Sequence, residues 1–575
     1  PNPANPPANP NKPAWANLNS NPGAQYFWVD RIFMWDPDKS SYPQQLFHTS
    51  RPGALDTSLV SSDYINNPRT MNAVYNLKAR IELAAHTGKE KLAGGDLNNR
   101  QFNDVPGIPA DSPLTRFYAK PDTVFTPRVL KDGADSVGAL GALNRVFVNI
   151  GLFSEEWTTH FRPLIGGKPI TPFRIDVARR NSAYWNANEA QTPDLALFFL
   201  ASATPDYLKN APGGAAHLNA SPAVLERGKE VFAETCARCH SSKLPDKAWS
   251  YFPDNGCVNG NYLQCWNKYW SYSQTPEFKN AMVEIVKKDD FLTDNFLSTE
   301  LRVPVTLTET NACSPLATNA LADNIWDNFS SESYKKLPAV GSVLVQNPFT
   351  GVAREYDMPA GGRGYTRPAS LVSVWSTAPL FLNNSLGKFY PSGSVEDRLA
   401  SFDDAIEKLL WPEKREGNFQ VVTRSGKTHP GTIDVTSERS YLRVSSGYLP
   451  NFLQKLEGVL SRWFPWAFGD DGIQLGPIPQ GTPVNLLSNI DMEKRDQVLE
   501  LLLKIKHDLK QLPADASDEE ARKVFKRLVK PLLAVSKCPD FVVDKGHYFG
   551  TGFIKDEPGL SDEDKRALIA LLKTF

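Results

Sequence analysis

The sequence lacks a long apolar run and an excess of charge of one sign, and each absence excludes a class of function. No stretch approaches the roughly 20 consecutive apolar residues that a membrane-spanning helix needs. The charges nearly balance, with 63 basic and 64 acidic residues, so no broad field would attract nucleic acid or an anionic membrane. We therefore expect no membrane span and no nucleic-acid binding. The HExxH and GxSxG motifs are also absent, and no internal repeat is visible.

The composition is that of an ordinary globular protein, with 41% hydrophobic and 22% charged residues. The 575 residues predict several domains rather than one core. Residues 1–25 are rich in Pro, Asn and Ala, which predicts an extended arm without a core of its own. We expect an N-terminal domain over residues 26–220 and a second domain over residues 221–575, with an insertion at about 412–545.

One short motif carries most of the chemical information. Residues 236–240 read Cys-Ala-Arg-Cys-His, and C-x-x-C-H is the attachment signature of c-type haem. The two thiols add to the haem vinyl groups and the histidine ligates the iron. The alternatives are a structural disulfide, a redox CxxC or half of a zinc site, but no second CxxC exists to complete a zinc site. We predict one covalent haem c, bound by Cys236, Cys239 and His240.

The residues before this motif predict the helix that carries it. Ser221 and Pro222 favour a helix start, because a hydroxyl caps the first turn and proline suits the first helical position. Apolar or small residues then recur on one helical face, at Val224, Leu225, Gly228, Val231, Phe232 and Cys236. We expect this face, with Phe232, to pack against the core and the haem.

The other four cysteines agree with an oxidising compartment. They allow three pairings, of which we favour Cys257 with Cys265 and Cys313 with Cys538, and free buried thiols are the alternative. Covalent haem attachment takes place outside the cytoplasm in bacteria. The chain also begins at Pro1 rather than at methionine, which fits a trimmed mature form. We expect a periplasmic or secreted protein.

Hydrophobic periodicity predicts a mainly α-helical fold with long loops. One amphipathic helix is expected at 395–411, and a small β-hairpin at 418–435. Further helices are expected at 451–464, 491–512 and 517–536, the last with a kink at Pro531. A terminal helix should begin after Ser561, which is placed to cap it.

Three segments in the same order resemble the C-terminal haem domain of the dihaem cytochrome c peroxidase and MauG superfamily. They are residues 227–240, 365–387 and 546–575. Within that superfamily the chain is most similar to the rubber oxygenases, through residues 138–157, 310–338 and 358–370. The resemblance implies a cytochrome c-like haem domain preceded by a less defined, helical N-terminal domain. It also implies an extracytoplasmic haem oxidoreductase that acts with dioxygen or peroxide on an apolar substrate, such as polyisoprene or an unsaturated lipid.

The chain departs from this family in one respect. The family carries two CxxCH motifs, and its N-terminal haem performs the chemistry, but no cysteine precedes Cys236 here. The surviving motif corresponds to the electron-transfer haem. Three explanations stay open: the catalytic haem is lost, a second haem is held without thioether bonds, or the single haem has changed its role. An electron-transfer cytochrome with a redox partner protein is therefore the alternative function, and a partner-binding module is a third.

The resemblance also suggests the second axial ligand of the iron. His547 lies where the peroxidase-like proteins place a methionine or tyrosine and the rubber oxygenases a histidine. We predict coordination by His240 and His547, with Met358 as the alternative ligand. An exposed turn histidine is the other interpretation of His547.

Several further residues are weaker candidates. Arg363 and Arg367 lie in a glycine-rich loop and are candidates for binding the haem propionates, although solvated loop arginines are equally expected. Trp375 is a candidate for packing against the haem, with a core tryptophan as the alternative. In the N-terminal half, His160 and the neighbouring Glu156 are candidates for acid–base chemistry, or His160 for ligating a second haem. A structural histidine is favoured there.

Overall fold

The computed structural model describes most of residues 204–310, 335–422, 494–509, 516–536 and 545–575, and shorter segments elsewhere. Within this part the protein is mainly α-helical with small antiparallel sheets. The longer helices are α1 (Pro222–Thr235), α2 (Tyr262–Ser273), α3 (Pro276–Val286), α4 (Val395–Leu410), α5 (Arg495–Leu509), α6 (Asp518–Val535) and α7 (Asp562–Leu572). Single α-helical turns lie at Ala237–His240, Asp246–Trp249 and Val305–Thr308.

The described strands form five small antiparallel sheets, each with two or three strands. The strands are β1 (Lys89–Lys91), β2 (Thr123–Phe125), β3 (Val303–Pro304), β4 (Ser342–Gln346), β5 (Ala353–Asp357), β6 (Tyr365–Thr366), β7 (Phe419–Val422), β8 (Thr428–Gly431), β9 (Ser440–Val444), β10 (Phe468–Gly469) and β11 (Gly472–Ile478). The pairs are β1–β2, β3–β6, β4–β5 and β7–β8, and β11 lies between β10 and β9.

Side-chain caps fix where several helices begin. The hydroxyl of Ser221 accepts a hydrogen bond from the Val224 amide, with Pro222 in the first turn. Ser394 and Ser561 cap α4 and α7 in the same way. Ser517 begins α6 with a complete capping box, in which the Glu520 carboxylate returns a bond to the Ser517 amide. The caps at Ser221 and Ser561 were predicted from the sequence, and those at Ser394 and Ser517 were not.

Helix α1 packs across α7, and this contact brings together segments that are far apart in the sequence. Gly228 allows the close approach: a β-carbon there would lie 2.5 Å from the Ala567 carbonyl oxygen. Phe232 is fully buried, and its ring meets those of Phe291 and Phe575 edge-on, with centroids 6.0 and 5.1 Å apart. The C-terminal helix therefore packs directly on the helix that leads into the cysteine motif.

Most of the predicted elements within the described residues are confirmed. The helices at α1, α4 and α7 match their predicted positions, as does the β7–β8 hairpin. Helix α6 continues past Pro531 to Val535. The sequence predicted one small hairpin, but the described residues contain four further small sheets. Their short strands lie in loop-rich stretches where alternation of polar and apolar residues is too brief to detect.

Other predictions fall largely or wholly outside the described residues. They are the arm at 1–25, most of the N-terminal domain at 26–220 and the helix at 451–464. Among the described residues, none of the helices combines the length and apolarity required to cross a membrane.

Candidate functional site

The cysteine motif begins where α1 ends. The amide of Cys236 donates to the Phe232 carbonyl at 2.9 Å, and the chain turns once more over Ala237–His240, where the His240 amide donates to Cys236 at 3.0 Å. Cys236 and Cys239 are both free cysteines. Burial raises their thiol pKa values to about 12 and about 11, and the positive charge of Arg238 opposes this shift more weakly. The structure thus presents two unpaired thiols on one helical turn beside a histidine.

His240 is held as a neutral imidazole with backbone partners at Ala369 and Leu297. Its Nδ1 lies 2.9 Å from the carbonyl oxygen of Ala369, to which it donates as the N–H tautomer. Burial lowers the pKa of His240 to about 4, so the ring is uncharged at neutral pH. A hydrogen bond from Nδ1 to a carbonyl leaves Nε2 as a lone-pair donor, which is the usual arrangement of a metal-ligating histidine.

The loop after α3 holds this turn from the other side. The Thr299 amide donates to the Cys239 carbonyl at 2.9 Å. Asn295 accepts hydrogen bonds from the amide of Ser242 at 3.0 Å and from that of Leu297 at 2.9 Å. The segment that follows the cysteine motif is therefore fixed both by a backbone contact to Cys239 and by the side chain of Asn295.

His547 faces His240 although 306 residues separate them in the sequence. The centres of the two imidazole rings are 6.3 Å apart and their planes are inclined by 43°. A metal–imidazole bond is about 2.0 Å and a ring nitrogen lies about 1.2 Å from the ring centre, so two imidazoles on opposite sides of one metal ion have centres about 6.4 Å apart. The observed spacing matches that arrangement.

His547 is a buried imidazole with an unsatisfied ring nitrogen. Burial lowers its pKa to about 3, and the neighbouring charges of His240 and Arg415 add to the effect. Its Nδ1 atom is buried and has no hydrogen-bond partner, which is costly unless something else satisfies it. Within the described residues, no group of three His, Cys, Asp or Glu side chains could hold a bare metal ion.

Arg415 holds the His547 turn in place. Its guanidinium is buried and donates to the carbonyls of His547 at 3.1 Å and Gly546 at 3.3 Å. Other N–H groups of Arg415 donate to the carbonyls of Lys408 and Leu409 at the end of α4. This side chain was not found from the sequence, because a lone arginine after a helix carries no distinguishing signal.

Aromatic rings enclose the same turn. The guanidinium carbon of Arg415 lies 4.6 Å from the Tyr548 ring centre and 5.6 Å from that of Phe381. Gly546 leaves room for Phe381, since a β-carbon at that position would be 2.6 Å from the ring. The Phe549 ring meets His547 edge-on, with centres 5.2 Å apart. The His547 side chain is thus set by packing from several directions.

Arg238, inside the cysteine motif, links the two histidine segments. Its side chain is 3% exposed, and Nη2 lies 2.7 Å from the carboxylate of Glu557, which is 9% exposed. The guanidinium also stacks over Trp270 at 4.6 Å and Phe549 at 5.0 Å. Arg238 occupies an unspecified position of the C-x-x-C-H motif, so nothing in the sequence indicates that its side chain is buried.

The other predicted residues are placed as follows. Met358 is buried in the main core, and its terminal carbon would lie 3.0 Å from a β-carbon added at Gly364. Trp375 packs with Leu208 and Leu399 in a separate small cluster, and its indole donates to the Asp206 carbonyl at 2.6 Å. Arg363 is half-buried in a turn.

Several candidates lie outside the described residues: Arg367, Glu156, His160, Cys257, Cys313 and Cys538. Cys265, on α2, is disulfide-bonded, so one disulfide includes a cysteine of the predicted set. Its partner is not among the described residues, and the pairing with Cys257 stays a prediction.

Comparison with known proteins adds no assignment: no family model, curated protein or solved structure matches this chain. The functional argument therefore depends on the geometry of the site.

Proposed function

We propose that residues 221–575 form a cytochrome c-like domain that carries one haem c and transfers electrons. Cys236 and Cys239 would attach the porphyrin, and His240 and His547 would ligate its iron from opposite sides. The observation that carries this proposal is the 6.3 Å spacing of the two imidazole rings. Two free thiols on the turn that ends in one of these histidines support it independently.

The ligand pair favours electron transfer over catalysis at this iron. When bound, the haem supplies one-electron redox chemistry. The protein would contribute two buried neutral imidazoles, those of His240 and His547, as ligands of the iron, and an iron with both of them bound would not admit dioxygen or peroxide. His240 is fixed by Ala369 and His547 by the loop that Arg415 holds. Rigid ligation of this kind suits a centre that changes its charge with little movement.

A second candidate function is the oxidoreductase that the family resemblance implies, an oxygenase or peroxidase acting on an apolar substrate. The observation that favours it is the likeness of residues 138–157 to the rubber oxygenases, which extends beyond the haem domain. In that case the described haem would serve as the electron-transfer centre. The reaction would take place at a second, non-covalent haem in the N-terminal half, with His160 as a candidate ligand. Both proposals place the protein in the periplasm or outside the cell.

Counting haem in the purified protein separates these two functions. A pyridine haemochrome assay should give one haem per chain for the electron carrier and two for the enzyme. Mass spectrometry after denaturation should find a single haem bound to the peptide that contains Cys236 and Cys239. A protein without haem, or with both thiols unmodified, would contradict both proposals.

The axial assignment is tested by His547→Ala. We expect the wild-type protein to be low-spin and unaffected by carbon monoxide, because both axial positions are filled. The variant should become high-spin and bind carbon monoxide, as measured by optical and EPR spectroscopy. Met358→Leu is the matched control and should keep the low-spin spectrum, since leucine fills a similar buried volume. A low-spin His547→Ala protein would remove His547 from the ligand set.

A further inference from the structure

The Arg238–Glu557 ion pair joins the segment that carries His240 to the segment that carries His547. Arg238 lies between the two motif cysteines, and Glu557 follows the His547 turn in the sequence. Their side chains are 3% and 9% exposed, and the two charged atoms are 2.7 Å apart. Because both side chains are buried, solvent and salt screen their electric fields weakly, and these fields extend further than those of surface charges.

The pair is held rigidly by its neighbours. Trp270 and Phe549 cover the guanidinium, at 4.6 and 5.0 Å from its central carbon to the ring centres. The amide of Gln274 donates to the Glu557 carboxylate at 3.3 Å. The Tyr269 hydroxyl donates to the main-chain carbonyl of Arg238 at 2.6 Å. Charges in fixed positions exert a fixed field, which is the condition for setting an electrostatic property.

The contacts also connect the two axial ligands mechanically. Phe549 contacts both Arg238 and His547: its ring centre lies 5.0 Å from the Arg238 guanidinium carbon and 5.2 Å from the centre of the His547 ring. Arg238 itself is two residues before His240 in the same helical turn. One cluster therefore spans from the cysteine motif to the opposite histidine.

We propose that Arg238 and Glu557 are positioning residues that set the reduction potential of the haem iron, Arg238 raising it and Glu557 lowering it. The inference rests on the proposed function. Reduction adds one electron to the iron, so a nearby fixed positive charge stabilises the reduced state and a negative charge stabilises the oxidised state. The paired charges largely cancel, and removing either one exposes the effect of the other.

The test is a spectroscopic redox titration of the holoprotein and four variants. At a fixed ambient potential, Arg238→Gln should raise the ratio of oxidised to reduced haem at least tenfold. For a one-electron couple, a tenfold change in this ratio corresponds to a fall of about 59 mV in the midpoint potential. Glu557→Gln should shift the ratio in the opposite direction. The double variant should lie between them, and Arg238→Lys should recover at least half of the Arg238→Gln shift because it retains the charge.

Arg227→Gln is the matched control. Arg227 also forms a short ion pair, with Asp564 at 2.6 Å, but its side chain is 48% exposed. Its removal should change the ratio less than twofold, because water screens the charge. Should Arg238→Gln destabilise the fold by leaving Glu557 unpaired, the double variant and Glu557→Gln still test the proposal.

Two results would overturn the inference. One is a set of low-spin variants whose midpoint potentials all equal that of the wild type. The other is a shift in the same direction for Arg238→Gln and Glu557→Gln, which would indicate a general loosening of the site. Both are distinct from failure of the proposed function, which a wild-type protein lacking a low-spin haem would show before any variant is measured.

Discussion

The two histidines that face each other are supported by different kinds of structure. His240 ends a run of five residues whose types and spacing are chemically meaningful, and the same helical turn that presents the thiols presents the imidazole. His547 lies in a turn whose conformation depends on Arg415, 132 residues away in the sequence. The first ligand is specified locally and the second by tertiary packing.

This difference implies that the two ligands can be separated experimentally. Changes near His240 should affect attachment of the proposed haem and the stability of the α1–α7 core. Changes near His547 should affect the sixth coordination position while the haem stays attached. The variants below test this separation.

The largest effect is expected from Arg415→Leu. The change removes hydrogen bonds to the carbonyls of Lys408, Leu409, Gly546 and His547, which become buried and unsatisfied. We expect a loss of about 3 kcal/mol in the free energy of unfolding and a partly high-spin spectrum. The haem should remain covalently bound, because Cys236 and Cys239 are unaffected. Denaturant unfolding, optical spectra and mass spectrometry measure the three properties.

The exposed neighbour Lys414 provides the control for this variant. Its ammonium group pairs with Glu407 at the surface, where both side chains are about half exposed. Lys414→Gln should change stability by less than about 0.5 kcal/mol and leave the spectrum unaltered. If Arg415→Leu keeps a fully low-spin spectrum, the His547 turn does not depend on Arg415.

A smaller effect is expected on the other side, from Gly228→Ala. The added β-carbon would lie 2.5 Å from the Ala567 carbonyl oxygen and 3.0 Å from the Leu571 β-carbon, so α1 and α7 must move apart. We expect a loss of about 2 kcal/mol by overpacking, despite the gain in helix propensity that alanine brings. The spectrum should stay low-spin, because the His547 turn is held by Arg415 and not by the contact between α1 and α7.

Gly393→Ala is the matched control for that substitution. No atom lies within 4 Å of a β-carbon at Gly393, and its backbone does not require glycine. Thermal unfolding should show no loss of stability for Gly393→Ala. Equal melting temperatures for the two variants would mean that the α1–α7 contact tolerates an extra methyl group.

The same contrast explains how much the sequence could predict. The helix starts at Ser221 and Ser561 were predicted because capping depends on residues three apart, whereas the helix at 395–411 was predicted from its amphipathic pattern. The cysteine motif was equally local. Small sheets such as β4–β5 were missed because short strands leave little periodic signal.

The candidate site shows the limit more clearly. The pairing of His547 with His240 was suggested only by resemblance to a family, and no local pattern around residue 547 predicts it. Arg238 and Arg415 were missed because burial of an arginine depends on what surrounds it in three dimensions. Their carbonyl, carboxylate and aromatic partners come from distant segments, so single-residue reasoning treats both as solvated.

The smallest effect on stability is expected from the Arg227–Asp564 ion pair. This exposed pair connects α1 and α7, the two helices that Gly228→Ala would push apart. A hydrogen bond from Arg227 lowers the pKa of Asp564 below its ordinary value, and one from Ser561 adds to the effect. A depressed carboxyl pKa contributes stability that is present above the unfolded-state pKa, near 3.9, and is lost as the pH falls through the folded-state pKa. Asp564→Asn should therefore cost less than about 1 kcal/mol at pH 7. The difference from wild type in urea unfolding should disappear at more acidic pH, where effects common to both proteins cancel. A difference that is the same before and after the carboxylate is protonated would show that Asp564 acts through packing or through the first turn of α7, and that its ion pair with Arg227 contributes nothing.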